Sequence, residues 1–431
     1  MMTSGSRDDP TVVTGMGAIT ALGASLDETW GALMAGTRAI RPIRRFAPEG
    51  YPVRFAAEIP DLKKEALDPG LSARIMGLQT SVLLASAKVA MGQARLEERG
   101  VAREDIGFFA GLGAADYDVE DLLPAVTQAR SPDGALDYRT FFLEHHRKIH
   151  PLWLLSLLNN IAFCQVAIAL DIRGDNTVLS QHADAGAQAI AEGLYAVREG
   201  RVRIALVGGT SEEITPVSLA RYLLLNVLST SFQGVCRPFD VNRSGTVLGE
   251  GGAVLVLERR SSAIARDAPC LAELSGIGSA CELAGAGTAP TPAAIRKGMV
   301  GALSAAGISP QDVDLIIANG DGTPAGDGNE ASAIQELFDR SLDSVGVLSM
   351  KGALGHLLAG APPLDVALGV MMIRERVIPG MAADLTPEPA CAMNLLIGGP
   401  TRRPLKRILI NAQGFAGQCI SIVLTATGQA A

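Results

Sequence analysis

Short runs of aliphatic and β-branched residues alternate along the chain with longer Ala-rich stretches whose apolar positions recur at helical spacing. The short runs predict strands at residues 11–14, 106–110, 177–179, 203–207 and 253–257, with helices near 26–35 and over 185–199. After Arg259-Arg260-Ser261-Ser262 the alternation resumes, with helices near 292–306, 329–341 and 364–374 and strands at 314–318, 345–348, 407–411 and 420–425. That rhythm is α/β, and it divides the chain into two similar halves meeting near residue 258. No repeat is evident at the level of individual residues.

Two stretches stand apart from the alternation. Residues 116–149 are polar and mixed, with SPDGALD as the clearest turn signal, and read as an excursion from the sheet. The run PLWLLSLLNNIAFCQVAIAL, residues 151–170, has a Pro suited to a first helical turn and apolar residues on nearly every face. A helix of about 20 residues has membrane-span length. Asn159, Asn160 and Gln165 favour instead a helix buried inside a large protein or at a subunit interface.

With 431 residues, 48% of them hydrophobic, the chain can build a sizeable core. Its net charge of −8 is spread along the sequence without a Lys/Arg block, which argues against nucleic acid or an anionic membrane as the main partner and for a small or carried substrate. The opening MMTSGSRDDPTVVTGMG lacks the charged and apolar regions of a signal peptide, so the expected location is the cytoplasm. The 6 cysteines are far apart with no C-x-x-C pair, so they read as buried free thiols. Thr14-Gly15-Met16-Gly17 lacks the G-x-G-x-x-G spacing and predicts a tight structural turn, with no nucleotide cofactor. His146 and His150 are four apart, but the flanking Arg147 and Lys148 disfavour a metal. No cofactor or metal is expected.

The stretch NTVLSQHADAGAQAI runs from a predicted strand into a predicted helix, where an enzyme would keep a nucleophile, yet it places Ala183 at the turn. It belongs to an ordered series: TGMGAITALG, this stretch, LVGGTSE, RPFDVNRSGTVLGEGGAVLVLE, IIANGDGTPAGDGNE, LSMKGALGHLLAGA and NAQGFAGQ. Together these motifs resemble the beta-ketoacyl synthases of fatty-acid and polyketide assembly over nearly the whole chain, with RPFD-x-x-RSG-x-x-LGEG the most specific element. The resemblance implies the thiolase fold, a five-layered αβαβα arrangement of two duplicated halves. These would be residues 1–258, with an insertion at about 116–170 forming a cap and interface helix, and residues 259–431.

In that family a Cys at the N-terminus of a buried helix takes up an acyl group as a thioester, two histidines stabilise developing negative charge, and a Lys and a carboxylate support them. Carried onto this sequence, the Cys position is Ala183, whose methyl cannot form a thioester. The first histidine falls at Asn319. The second is retained as His356, with Lys351 five residues before it, and the supporting acid is Asp365, an Asp where the family usually has Glu. Phe415 matches the family's gating phenylalanine, while Arg237, Asp240 and Arg243 are expected to be scaffold. His182, Ser180 and Cys164 are poorly placed to replace the nucleophile. His356 and Lys351 are each open to a structural and to a catalytic or binding reading.

The leading expectation is a non-condensing subunit similar to chain-length factors. It would pair with a ketosynthase alpha subunit as a heterodimer, or with itself as a homodimer, and would shape an acyl tunnel for substrates on an acyl carrier protein. Ala183 departs from the Gln that chain-length factors have at this position. The other reading is a Cys-independent malonyl-thioester decarboxylase or an acyltransferase. Asp321 weighs against it by adding negative charge near the expected enolate.

Overall fold

Why both faces of so many strands are apolar becomes clear from the strand order. The computed structural model describes residues 9–60, 62, 76–98, 100–115, 121–151, 153–156, 158–180, 183–231, 233–283 and 288–428. The first half contributes β1 (Thr11–Thr20), β2 (Ile106–Leu112), β3 (Asn176–Ser180), β4 (Ile204–Thr210) and β5 (Gly251–Arg259). The second contributes β6 (Ala272–Cys281), β7 (Leu315–Ile317), β8 (Gly346–Leu348), β9 (Arg407–Gln413) and β10 (Gln418–Thr425). Outward from the junction the orders are β1-β5-β4-β2-β3 and β6-β10-β9-β7-β8, the same path taken twice. The pattern of parallel and antiparallel pairs is also the same in both. Within the large sheet the halves join where Val12 pairs with Glu273 and Val13 with Ala272.

Helices pack on both faces of this sheet. They are α1 (Leu78–Gln93), α2 (Trp153–Ser156), α3 (Asn160–Ala169), α4 (Ala185–Glu199), α5 (Pro216–Leu224), α6 (Pro292–Ala306), α7 (Pro324–Phe338) and α8 (Ala361–Glu375). Helix α1 lies on β1 and β5 with α3 behind it, α4 lies on β2 and β4, and α6 lies on β6 and β10 with α7 beside it. Helix α8 touches α4 and strands of both halves, so α4 and α8 form the middle of five layers. Strands sandwiched in this way need aliphatic residues on both sides.

The expected helices 185–199 and 292–306 coincide with α4 and α6, because their ends are written locally. Gly200 (φ 74°) and Gly307 (φ 69°) supply left-handed C-caps, and the Thr291 side chain accepts from the Ala294 N–H at the start of α6. Other expectations are corrected. Thr14-Gly15-Met16-Gly17 is not a turn but the middle of β1, where a Cβ on Gly15 would lie 2.0 Å from the Ala90 carbonyl oxygen and one on Gly17 2.1 Å from that of Ser86. The glycines let α1 sit directly on the strand.

The same device recurs in the second half. A Cβ on Gly276 would lie 2.2 Å from the Ala302 oxygen, and one on Gly278 2.3 Å from the Ala302 nitrogen of α6. A residue-level repeat therefore exists, G-x-G on the equivalent strands β1 and β6, contrary to expectation.

Helix α1 and strand β6 were not foreseen. Helix α1 buries Gln79, Thr80, Ser81 and Ser86 along with its aliphatic residues, which erases an amphipathic stripe, and β6 is Gly- and Ser-rich. The expected single helix over 151–170 is broken into α2 and α3, with Asn159 at the N-cap and Asn160 at the first position of α3, a residue type that favours caps and turns over helix interiors. Along α3, Asn160, Cys164 and Ile168 form an exposed i, i+4, i+8 row. Cys164 is thus not a packed thiol, and Cys281 is exposed as well, while Cys236, Cys391 and Cys419 are buried. His146 lies in a 3-10 turn, His146–Lys148, that ends before His150, so the two share no helix face. Among the described residues no helix is long and apolar enough to cross a membrane.

Candidate functional site

The turn between β3 and α4 carries Ala183, which is buried. Its methyl belongs to an apolar cluster with Ile214, Leu219, Tyr222, Leu248 and Leu358, against which Phe415 packs. The following Asp184 begins α4, its carbonyl accepting from the N–H groups of Ala187 and Gln188. A Cβ on Gly186 would lie 2.1 Å from the Ala359 oxygen, so the first turn of α4 abuts the GHLLAG segment of the second half. Ser180 is exposed at the end of β3, and His182 lies outside the described residues.

Asn319 follows β7 and is fixed from several directions. Its N–H donates to Glu330 Oε1 at 2.9 Å, and the neighbouring Gly320 N–H donates to Glu330 Oε2 at 2.8 Å. Its side-chain oxygen accepts from the Gln413 N–H at 3.2 Å and from Lys351 Nζ at 3.3 Å, and Lys351 also donates to the Asn319 backbone carbonyl. Lys351 is therefore committed to holding the Asn319 loop. Among the described residues the Asn319 amide NH2 has no hydrogen-bond partner.

His356 is buried at the first half's edge of the same region. Its backbone N–H donates to Val247 O at 2.7 Å, and its ring Nδ1 accepts from the Leu358 N–H at 3.1 Å. The ring proton is therefore on Nε2, which is buried without a partner. Burial, reinforced by the nearby positive Lys351, holds its pKa well below the usual imidazole range. The ring is a neutral hydrogen-bond donor. Leu358 adopts φ 51°, an uncommon conformation for a bulky residue, to bring its N–H onto Nδ1. The Phe415 ring meets His356 edge-on at a centroid distance of 5.8 Å.

Asp365, in the first turns of α8, is buried, and burial pushes its carboxyl up to about 7 even though Lys351 opposes the shift. The acid that contacts the Asn319 loop is a different one, Glu330 on α7. This buried carboxyl also accepts from Asn411 Nδ2 at 3.0 Å, and burial raises its pKa. Sequence reasoning missed it because nothing but its inward position on a helix eleven residues after Asn319 marks it. Asp321 does not face the site as expected: its carboxylate accepts from Thr323 N–H at 2.8 Å and Thr323 Oγ1 at 2.6 Å, at the start of α7. A short acid two residues before a Thr cap closes onto that cap. Arg237 pairs with Asp384 at 3.0 Å and Arg243 with Glu388, tying the RPFD loop to a later segment.

The first half thus offers a methyl, and the second a neutral imidazole donor and a clamped amide. Profile comparison matches residues 8–263 to the beta-ketoacyl synthase N-terminal domain and residues 271–383 to its C-terminal domain.

The chain belongs to the beta-ketoacyl synthase family. Among family proteins it is 29% identical over 416 residues to 3-oxoacyl-(acyl-carrier-protein) synthase 2 of Staphylococcus aureus (strain N315), covering 96% of this chain and 97% of that protein. The synthase of the same name from Synechocystis sp. is also 29% identical over 416 residues, covering 95% of this chain and 96% of its own. Among solved structures, the ishigamide ketosynthase/chain length factor superposes with a TM-score of 0.86 at 27% identity, covering 97% of this chain and 100% of that one. The architecture is accordingly thiolase-like.

Proposed function

We propose that this beta-ketoacyl synthase family member is a non-condensing subunit of the chain-length-factor kind, which pairs with an active ketosynthase and shapes the acyl tunnel in a type II polyketide, polyene or fatty-acid-like pathway. The observation that carries the reading is Ala183: at the elbow where the family places its thiol, this chain buries a methyl in an apolar cluster, leaving no atom to hold a thioester. The Asn319 side-chain oxygen, held by Lys351 and the Gln413 N–H, supports it, because that side is committed to the loop. Similarity to the ishigamide ketosynthase/chain length factor is in keeping with it. So is the surface. Tyr138, Phe142, Leu143, Leu154, Leu158 and Ile168 all point outward on one stretch of the first half, beside a sheet whose edge strand β3 is unpaired on its outer side among the described residues. The substrates would arrive on an acyl carrier protein in the cytoplasm.

A second reading, decarboxylation of a malonyl thioester without a covalent intermediate, is favoured by one feature: the neutral His356 with an unused Nε2–H donor, suited to a developing enolate oxygen. Asp321, turned onto the start of α7, no longer opposes it.

Co-expression with a condensing ketosynthase from the same gene neighbourhood, followed by native mass spectrometry and carbon dioxide release from malonyl carrier protein, separates the two. The expected result is a heterodimer, with no release by the chain alone. Release by the lone chain that is abolished by His356→Ala overturns the non-catalytic reading, and a stable homodimer that ignores every ketosynthase overturns the partner reading.

A further inference from the structure

The apolar cluster around Ala183 has one member that is not wholly apolar. Tyr222 on α5 packs in the same cluster as Ala183 and Leu358, and its ring meets the Phe415 ring edge-on at 6.0 Å. Its hydroxyl donates to Glu212 Oε1, and the Arg221 guanidinium pairs with the other carboxylate oxygen. Glu212 is 4% exposed, whereas the Arg221 side chain reaches solvent. A buried carboxylate is costly unless paired and hydrogen-bonded. A Phe at 222 would fill the same volume without it, so what the ion pair adds is orientation of the Tyr222 ring.

That orientation matters because Phe415 sits in the glycine-flanked turn between β9 and β10. It is preceded by Gly414 and followed by Ala416 and Gly417, the latter at φ 87°. The Phe415 ring meets two rings edge-on, His356 at 5.8 Å and Tyr222 at 6.0 Å. His356 is fixed by its Leu358 hydrogen bond, and Tyr222 by Glu212.

We propose that Tyr222, held by Glu212 and Arg221, is a positioning residue that latches Phe415 against His356 and so limits which acyl groups reach Ala183. The acyl specificity rests on the ketosynthase-subunit reading above; the latch itself does not.

The test is hydrogen exchange of residues 414–417 in the full chain, with β5 (Gly251–Arg259) as the remote reference. Tyr222→Phe removes the hydroxyl's bond to Glu212, Glu212→Ala removes that bond and the Arg221 pair, and in each the exchange of the loop rises about fivefold or more while β5 is unchanged. Glu212→Gln keeps an acceptor for the Tyr222 hydroxyl and restores protection to the parent level, which a merely space-filling role for the site would not require. Unchanged loop exchange in Tyr222→Phe, or an equal rise in β5, overturns the latch.

Octanoyl-N-acetylcysteamine thioester is the probe for entry. If opening limits its binding, the looser loop binds it about fivefold more tightly; an unchanged Kd with a loosened loop overturns the selection. Because the exchange measurement needs no partner, a chain that never pairs with a ketosynthase yet shows the selective rise retains the latch and loses only the subunit reading.

Discussion

The two halves follow the same strand path, yet they finish their outer edges differently. In the second half Val347 of β8 donates to Asn394 O at 2.9 Å and accepts from the Leu396 N–H at 2.9 Å, so a later segment closes that edge and all three residues of β8 are buried. In the first half β3 ends the sheet with exposed or half-buried residues, and no described residue pairs with its outer side. What each half brings to the site differs as well. The second half gathers Asn319, Lys351, Glu330, Asp327 and Asp365 in its interior, whereas the first half's elbow is a methyl in an apolar cluster and its buried acids Glu212, Glu250 and Glu258 are each paired with an Arg. The two halves of a duplicated fold thus differ in how the edge is closed and in the side chains they present at the site.

The largest test of that contrast removes the network's central acid. Glu330→Ala strands the N–H groups of Asn319 and Gly320 and the Asn411 amide, and leaves Lys351 without its nearby carboxylate, so urea unfolding should show a loss of about 3–5 kcal/mol. Ala183→Ser, which only adds a hydroxyl to an apolar cluster in the first half, should cost about 1 kcal/mol. Equal losses would erase the distinction.

The network should also make stability depend on pH. The folded-state pKa of Asp365 is raised to about 7 from an unfolded value of about 4, so the native state holds the proton more tightly. Its contribution is present in full below about pH 4 and is lost as the pH rises through about 7, a change of about 4 kcal/mol. Asp365→Asn should flatten that slope, as read from urea midpoints at pH 5 and pH 8. A wild-type chain equally stable at both would contradict the raised value.

The two edges give a smaller and opposite pair of effects. Leu396→Pro removes the N–H that closes β8 and should cost about 2 kcal/mol of stability, measured by thermal unfolding. Ile168→Glu, at a side chain 74% exposed on α3, should change stability by less than about 0.5 kcal/mol while weakening subunit association about a hundredfold by sedimentation. Association unaffected by Ile168→Glu would move the interface elsewhere.

The α/β alternation, most strand positions and the full extents of α4 and α6 were legible in the sequence, as was the series of motifs that marks the family. Each of these is local: β-branched runs, capping Thr and Gly residues, and fixed motif spacing are read over a few neighbouring residues. Only the tertiary structure decided the rest. That Gly15-Met16-Gly17 and Gly276-Ile277-Gly278 are one device used twice depends on α1 and α6 lying against them, which no spacing reveals. That Asp321 accepts from the Thr323 cap of α7 while Glu330 holds the Asn319 loop depends on side-chain direction along a helix start. The break between α2 and α3, and the exposed row that includes Cys164, depend on what packs behind α3, namely α1 on one side and no described residue's cover on the other. Chain-local chemistry sets which backbone states are cheap; burial and direction are set by contacts between residues far apart in the chain, and those exist only once it has folded.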